Sequence, residues 1–233
     1  MTMNPRRKVV NQLVERLKAR SQGLLRYVRT GKDSGYWIGF DGRRWSIEDG
    51  TRRAEALAHD VARSIRDEVR ALGEQIRTGR LPKSMVEAVG DDRAAEMAKD
   101  KLAQLHKWAI KSGNAAQTRG MLTQAAAEMA VLPDMFDLDP LAFNCRNRTL
   151  RFAPDRAGVW GVADSAQDPA DMITCLAEVD YGPAADCPRW KARLEQIQPD
   201  ADQRAQLQVL CGYALTGLTS DQQFYIFQGP GGD

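Results

Sequence analysis

Six of the ten prolines lie between residues 133 and 189, at positions 133, 140, 154, 169, 183 and 188. Proline lacks an amide proton, and its ring clashes with the carbonyl one turn earlier, so this stretch cannot hold a long helix. Short strands fit it better: Leu141 to Cys145, Leu150 to Phe152, Gly158 to Val162 and Ile173 to Val179. Upstream, only Pro5 and Pro82 interrupt the chain, and helical spacing dominates. Leu57, Val61, Ile65, Leu72 and Ile76 recur every three or four positions or multiples of that spacing, predicting a helix over Ala54 to Ile76. Shorter stripes predict helices over Val9 to Lys18, Asp92 to Lys111 and Ala115 to Ala130. Between the first two, residues 24–47 alternate aromatic and β-branched residues around an Asp41-Gly42 turn, as in a small meander of two or three strands. Helical spacing returns with Trp190, Leu194 and Ile197, then with Leu207, Leu210, Ala214 and Leu218, and Phe224 to Phe227 is strand-like.

The expected fold is α+β and predominantly α-helical, with a small N-terminal β-meander and a short-strand region in the C-terminal half. Four segments are expected: a basic helical arm (1–23), the meander with a helical layer (24–132), a short-strand and helical region (133–223), and a closing strand with the start of an ATPase loop (224–233). With 43% hydrophobic residues, the chain can build a core without disulfides or zinc. Cys145, Cys175, Cys187 and Cys211 form no Cys-x-x-Cys pair, and only His59 and His106 could assist a metal, so no metal site is expected. No stretch approaches the roughly 20 apolar residues that span a bilayer, and the N-terminus is charged where a signal peptide needs an apolar core. A cytoplasmic protein with no membrane partner is expected. Residues 1–53 carry a net charge of +8 and the rest −6, a polarity that suits either a nucleic-acid-facing end or a solvated basic helix.

The strand-like Phe224 to Phe227 runs into Gly229-Pro230-Gly231-Gly232-Asp233. A short apolar strand entering such a loop precedes the phosphate cradle of P-loop ATPases: Gly, four residues, then Gly-Lys-Ser/Thr. Gly229 would be the first glycine, and completing the pattern requires Gly, Lys and Ser or Thr as the next three residues. The lysine and the magnesium-binding hydroxyl are missing, so no ATP hydrolysis is expected of this polypeptide. A flexible glycine-rich tail is the competing reading.

Several motifs occur in a fixed order: Trp37-Ile-Gly-Phe-Asp-Gly-Arg-Arg-Trp45, Lys107-Trp-Ala109, Ser112-Gly113, Phe136-Asp-Leu-Asp-Pro140, Asn144-Cys-Arg-Asn147, Asp180-Tyr-Gly-Pro-Ala-Ala-Asp-Cys-Pro-Arg-Trp190 and Gly212-Tyr-Ala-Leu-Thr-Gly217. Over residues 24–233 the chain resembles the region before the motor in phage and plasmid primase-helicases, the family that includes the poxvirus-type primase-helicase. The resemblance implies a collar that helps assemble a ring, a hexamer in the full-length parent, and couples an upstream primase module to a superfamily 3 helicase motor using ATP and magnesium. It implies no cofactor for the present segment. The family commonly has glycine where this chain has Arg148, and no primase carboxylate triad is recognisable upstream.

Arg6, Arg7, Lys8, Arg16, Lys18 and Arg20, then Arg26, Arg29, Arg43 and Arg44, stand near Tyr27, Tyr36, Trp37 and Trp45. Cations beside flat rings suit single-stranded DNA, through phosphate neutralisation and base stacking. Alternatively, Trp37 and Trp45 form the meander's own core. Asp134, Asp137 and Asp139 could hold magnesium, but without a further convergent acid they fit caps and turns better. Asn144 and Asn147 are expected to bond their own turn, Trp108, Trp160 and Trp190 to anchor cores, and Cys187 to pack. His59 and His106 stand alone, and no catalytic residue is expected. The leading expectation is a non-catalytic collar and DNA-contacting segment of a replicative primase-helicase. Its rivals are part of an ATP-driven DNA helicase when full length, and a stand-alone truncated mobile-element interaction protein.

Overall fold

The computed structural model describes residues 5–81 and 83–228, excluding the side chains of residues 5–9, 85, 88, 89, 91 and 92. Its chain divides into two compact units, Met1–Asp41 with Trp45–Met135, and Gly42–Arg44 with Phe136–Asp233. The architecture is α+β and mostly helical.

In the first unit the elements run α1 (Pro5–Ser21), β1 (Leu25–Arg29), β2 (Gly35–Phe40), β3 (Trp45–Ser46), α2 (Ile47–Arg77), α3 (Lys83–Val89), α4 (Asp91–Ser112), α5 (Ala115–Glu128) and β4 (Ala130–Val131). The sheet order is β3-β2-β1-β4. The first three strands form the expected antiparallel meander, with Tyr27 opposite Trp37 and Phe40 opposite Trp45. β4 joins β1 in parallel. This explains why α5 stops at Glu128 rather than Ala130: Met129 leaves the helix and its carbonyl accepts from the Tyr27 amide at 3.0 Å.

The core of this unit lies between α1, α2, α5 and the sheet. Leu13, Val14 and Leu17 of α1 are fully buried, as are Ala54, Ala58, Val61 and Ile65 of α2. A Cβ on Gly50 would overlap the Trp37 carbonyl, so a glycine in the first turns of α2 lets this helix lie against β2. α3 was not expected, because seven residues are too few to show a periodicity. It ends at Gly90, whose φ of 78° starts the reversal into α4.

In the second unit, β5 (Ala142–Asn144), β6 (Thr149–Pro154) and β7 (Trp160–Ser165) form an antiparallel sheet in that order, followed by α6 (Pro188–Ile197) and α7 (Ala201–Ala214). Four expectations need correction here. β7 starts at Trp160 rather than Gly158, because the Asp155 carboxylate accepts the amides of Ala157 (2.8 Å) and Val159 (2.9 Å) and holds the intervening residues in a turn. Residues 173–179 make a single bridge, Ala177 to Cys145, because the Thr174 amide and the Cys175 carbonyl are taken by the side chains of Asp137 and Asn144, leaving the Ala177 amide and the Val179 carbonyl to bond backbone. Phe224 to Phe227 form no strand; their side chains are 51–86% exposed, and no strand among the described residues pairs with them. Trp160 and Trp190, expected as core anchors, are 62% and 58% exposed. Trp160 opens the edge strand β7, which is exposed along nearly its whole length, and α6 has no buried residue.

Candidate nucleic-acid interface

Several of the cations singled out by the sequence are already engaged. Arg16 pairs with Glu68 through both terminal guanidinium nitrogens, and its guanidinium lies 4.7 Å over the Trp108 ring. Lys18 sits between Glu128 at 3.1 Å and Glu15 at 3.2 Å, and these hydrogen bonds raise its pKa. Arg26 lies 5.7 Å over Trp45 and donates to the Leu25 carbonyl at 3.0 Å. Arg20 is exposed on the last turn of α1 and Arg43 on the β2–β3 loop, with Arg44 half-buried beside it. The side chains of Arg6, Arg7 and Lys8 lie outside the described residues.

Trp37 and Trp45 take the core alternative. They are 9% and 2% exposed, Trp37 edge-on to Tyr27 at 5.3 Å and Trp45 tilted on Phe40 at 5.9 Å. A base needs an open ring face, and burial leaves these two rings almost none, which corrects their candidacy for base stacking, although Trp37 still contributes to the lining of a groove beside the β1–β2 loop.

A different set of cations is brought together. Arg29 closes β1, Lys32 and Asp33 lie in the β1–β2 loop, and Arg119 projects from α5; with Tyr27, Ser34, Leu122 and Thr123 they line a groove of about 570 Å³. The loop is held by the Thr30 amide donating to the Ser34 carbonyl at 3.0 Å, and by the two hydroxyls at 3.2 Å. A Cβ on Gly35 would overlap the Tyr27 ring, so this glycine lets the half-buried ring lie across the strand beside the groove. α5 starts at the Asn114 cap, whose side chain accepts the Gln117 amide at 2.8 Å. Among the described residues, Arg29, Lys32 and Arg119 are exposed and make no ion pair. Lys32 and Arg119 escaped the sequence reading. Arg119 stands on a helix far along the chain, and only the tertiary contact of α5 with β1 brings it to Arg29.

The acidic and amide motifs prove to be fasteners. Asp137 accepts the Thr174 amide (2.8 Å) and hydroxyl (2.5 Å). Asp139 caps the Leu141 amide at 3.0 Å and faces Arg151 at 3.4 Å; Arg151 also pairs with Asp171 at 2.5 Å, chiefly the hydrogen bond that raises its pKa further. No group of three metal-ligating side chains occurs among the described residues.

Asn144 and Asn147 do not bond the backbone of their own turn, which corrects that expectation. Asn144 donates to the carbonyls of Arg43 (2.9 Å) and Cys175 (3.1 Å) and accepts from the Thr149 hydroxyl. Asn147 exchanges two hydrogen bonds with the Tyr181 backbone, at 2.9 and 2.8 Å. These side chains are matched to segments distant in sequence, which a local turn reading does not anticipate.

Cys145 is buried, and burial pushes its thiol pKa up, away from nucleophilic character. Cys175, Cys187 and Cys211 are exposed, so Cys187 does not pack as expected. His59 and His106 are exposed on α2 and α4. Gly229, Pro230, Gly231, Gly232 and Asp233 lie outside the described residues. No described helix is long and apolar enough to cross a membrane.

Residues 13–199 match the family model described as D5 N terminal like, a span that begins in α1 and runs just past the end of α6. No curated protein and no solved structure matches the chain.

Proposed function

Because the chain belongs to the D5 N terminal-like family, the N-terminal region of phage and viral primase-helicase proteins, we propose that it is a non-catalytic collar of a DNA replication machine. In this reading it contacts single-stranded DNA and joins copies of itself around the strand. The observation that carries the reading is the family match across most of the chain, through elements of both compact units.

The finer assignment is to the poxvirus-type branch, ahead of a superfamily 3 motor. An upstream primase module would then be coupled to a downstream ATPase that binds ATP and magnesium at a P-loop beginning with Gly229. The full-length assembly would be a hexameric ring. Two features of the chain support self-association and DNA contact. The second unit exposes large apolar side chains, with Trp160, Trp190 and Val209 at 62%, 58% and 73%, and exposed apolar surface marks interaction sites. The first unit is the basic one and carries the groove of unpaired cations.

Light scattering on the purified chain across a concentration series tests the collar role. Masses of several chains are expected at high concentration, and further assembly when a single strand is added. A strict monomer under both conditions overturns the collar role.

A further inference from the structure

We propose that the groove between the β1–β2 loop and α5 is the binding site for the single strand, with Arg29, Lys32 and Arg119 on successive phosphates and the Tyr27 ring at its floor. This inference rests on the DNA-contact reading above and assigns it a place.

Three observations carry it. The first is charge: three exposed cations face the groove against Asp33 alone among its acidic lining residues, and none of the three is held by a carboxylate. Arg16 and Lys18, by contrast, already have carboxylate partners, and Arg26 lies over Trp45 and bonds a backbone carbonyl. Exchanging an existing ion pair for a phosphate gains less than supplying a phosphate to a solvated cation, because the old partner must be released.

The second is shape. A concave groove of about 570 Å³ has the size of a small-ligand site and accommodates an unstacked nucleotide rather than a duplex. A duplex hides its bases and presents two phosphate ridges; a single strand can turn a base inward onto an aromatic or apolar floor. Tyr27, Trp37, Leu122 and Ala126 give the groove its aromatic and apolar lining, and Ser34 and Thr123 add hydroxyls to it.

The third is rigidity. Arg29 lies on a paired strand, Arg119 on a capped helix and Lys32 on a loop closed by the Thr30–Ser34 bonds. Cations on held backbone lose less freedom on binding than cations on a free tail.

The test is fluorescence anisotropy of a labelled oligothymidylate with the whole chain and with R29A/K32A/R119A, whose side chains are exposed, so the variant folds normally by circular dichroism and thermal melting. The variant is expected to bind at least about tenfold more weakly at low salt, with a salt slope shallower by about 2, three contacts at about 0.7 each. R29K/R119K, which keeps the charges, is expected to bind within about threefold of the parent chain. A second variant, R6A/R7A/K8A, separates the failures. If the parent chain binds and the groove variant binds equally well, the groove is wrong. Loss in R6A/R7A/K8A alone then assigns contact to the N-terminal helix and leaves the DNA-contact reading standing. If the parent chain does not bind the oligonucleotide at all, both fall.

Discussion

Gly50 and Asn144 show how much of the molecule hangs on single side chains, or on their absence. Gly50→Ala forces a methyl into the Trp37 carbonyl, and urea unfolding is expected to show a loss of about 1–3 kcal/mol. Trp45→Ala empties a site 2% exposed and is expected to cost about 3–5 kcal/mol; a variant with unchanged stability but weakened DNA binding would return Trp45 to the interface. Asn144→Ala strips hydrogen bonds from the part-buried carbonyls of Arg43 and Cys175 and leaves the buried Thr149 hydroxyl without its acceptor, an expected loss of about 2 kcal/mol. Native-state alkylation should modify Cys175, Cys187 and Cys211 quickly and Cys145 only on unfolding, since Cys145 is buried with a raised pKa; a fast-reacting Cys145 would contradict that placement. Of these roles the sequence offered only that of Trp45, as the core alternative; those of Gly50 and Asn144 were not legible in it. A glycine reveals nothing of what crosses it, and an asparagine offers the same amide to its own turn as to a carbonyl 31 residues away.

At the scale of elements, the sequence was clearest where one face meets a core. α2 shows its stripe because Val61, Ile65, Val69 and Leu72 are buried in register, and α4 and α5 begin within a residue of where periodicity places them. It was least clear where partners override local preference. Met129 leaves α5 for a parallel pairing with β1, residues 173–179 divide their backbone hydrogen bonds between side chains and the β5–β6 region, and the 224–227 run finds no neighbouring strand among the described residues. The candidate interface was half legible: Arg29 and Tyr27 were singled out, but Arg119 joins them only through packing of α5 on β1. Hydrogen exchange is expected to protect α2 most strongly and to leave α6 and α7 fast, because neither of the latter buries a residue. Slow exchange in α7 at high protein concentration, reverting on dilution, would locate the surface where copies meet. Slow exchange independent of concentration would contradict the exposure of that helix pair.

For the whole molecule, charge and exposed apolar surface divide along the chain. The net +8 of residues 1–53 belongs mostly to the unit with the larger core, and the remaining −6 accompanies the sparsely buried strands and helices after residue 135. A collar needs this combination: one surface that tolerates phosphate and another that can meet a neighbouring copy. The measurement that tests this most directly is the salt dependence of single-strand binding by the intact chain. Plotting log K against log salt should give a straight line with a slope of about −2 or steeper, the release expected from three or more phosphate contacts. A flat line, or no binding at low salt, would contradict a DNA-contacting role for this chain.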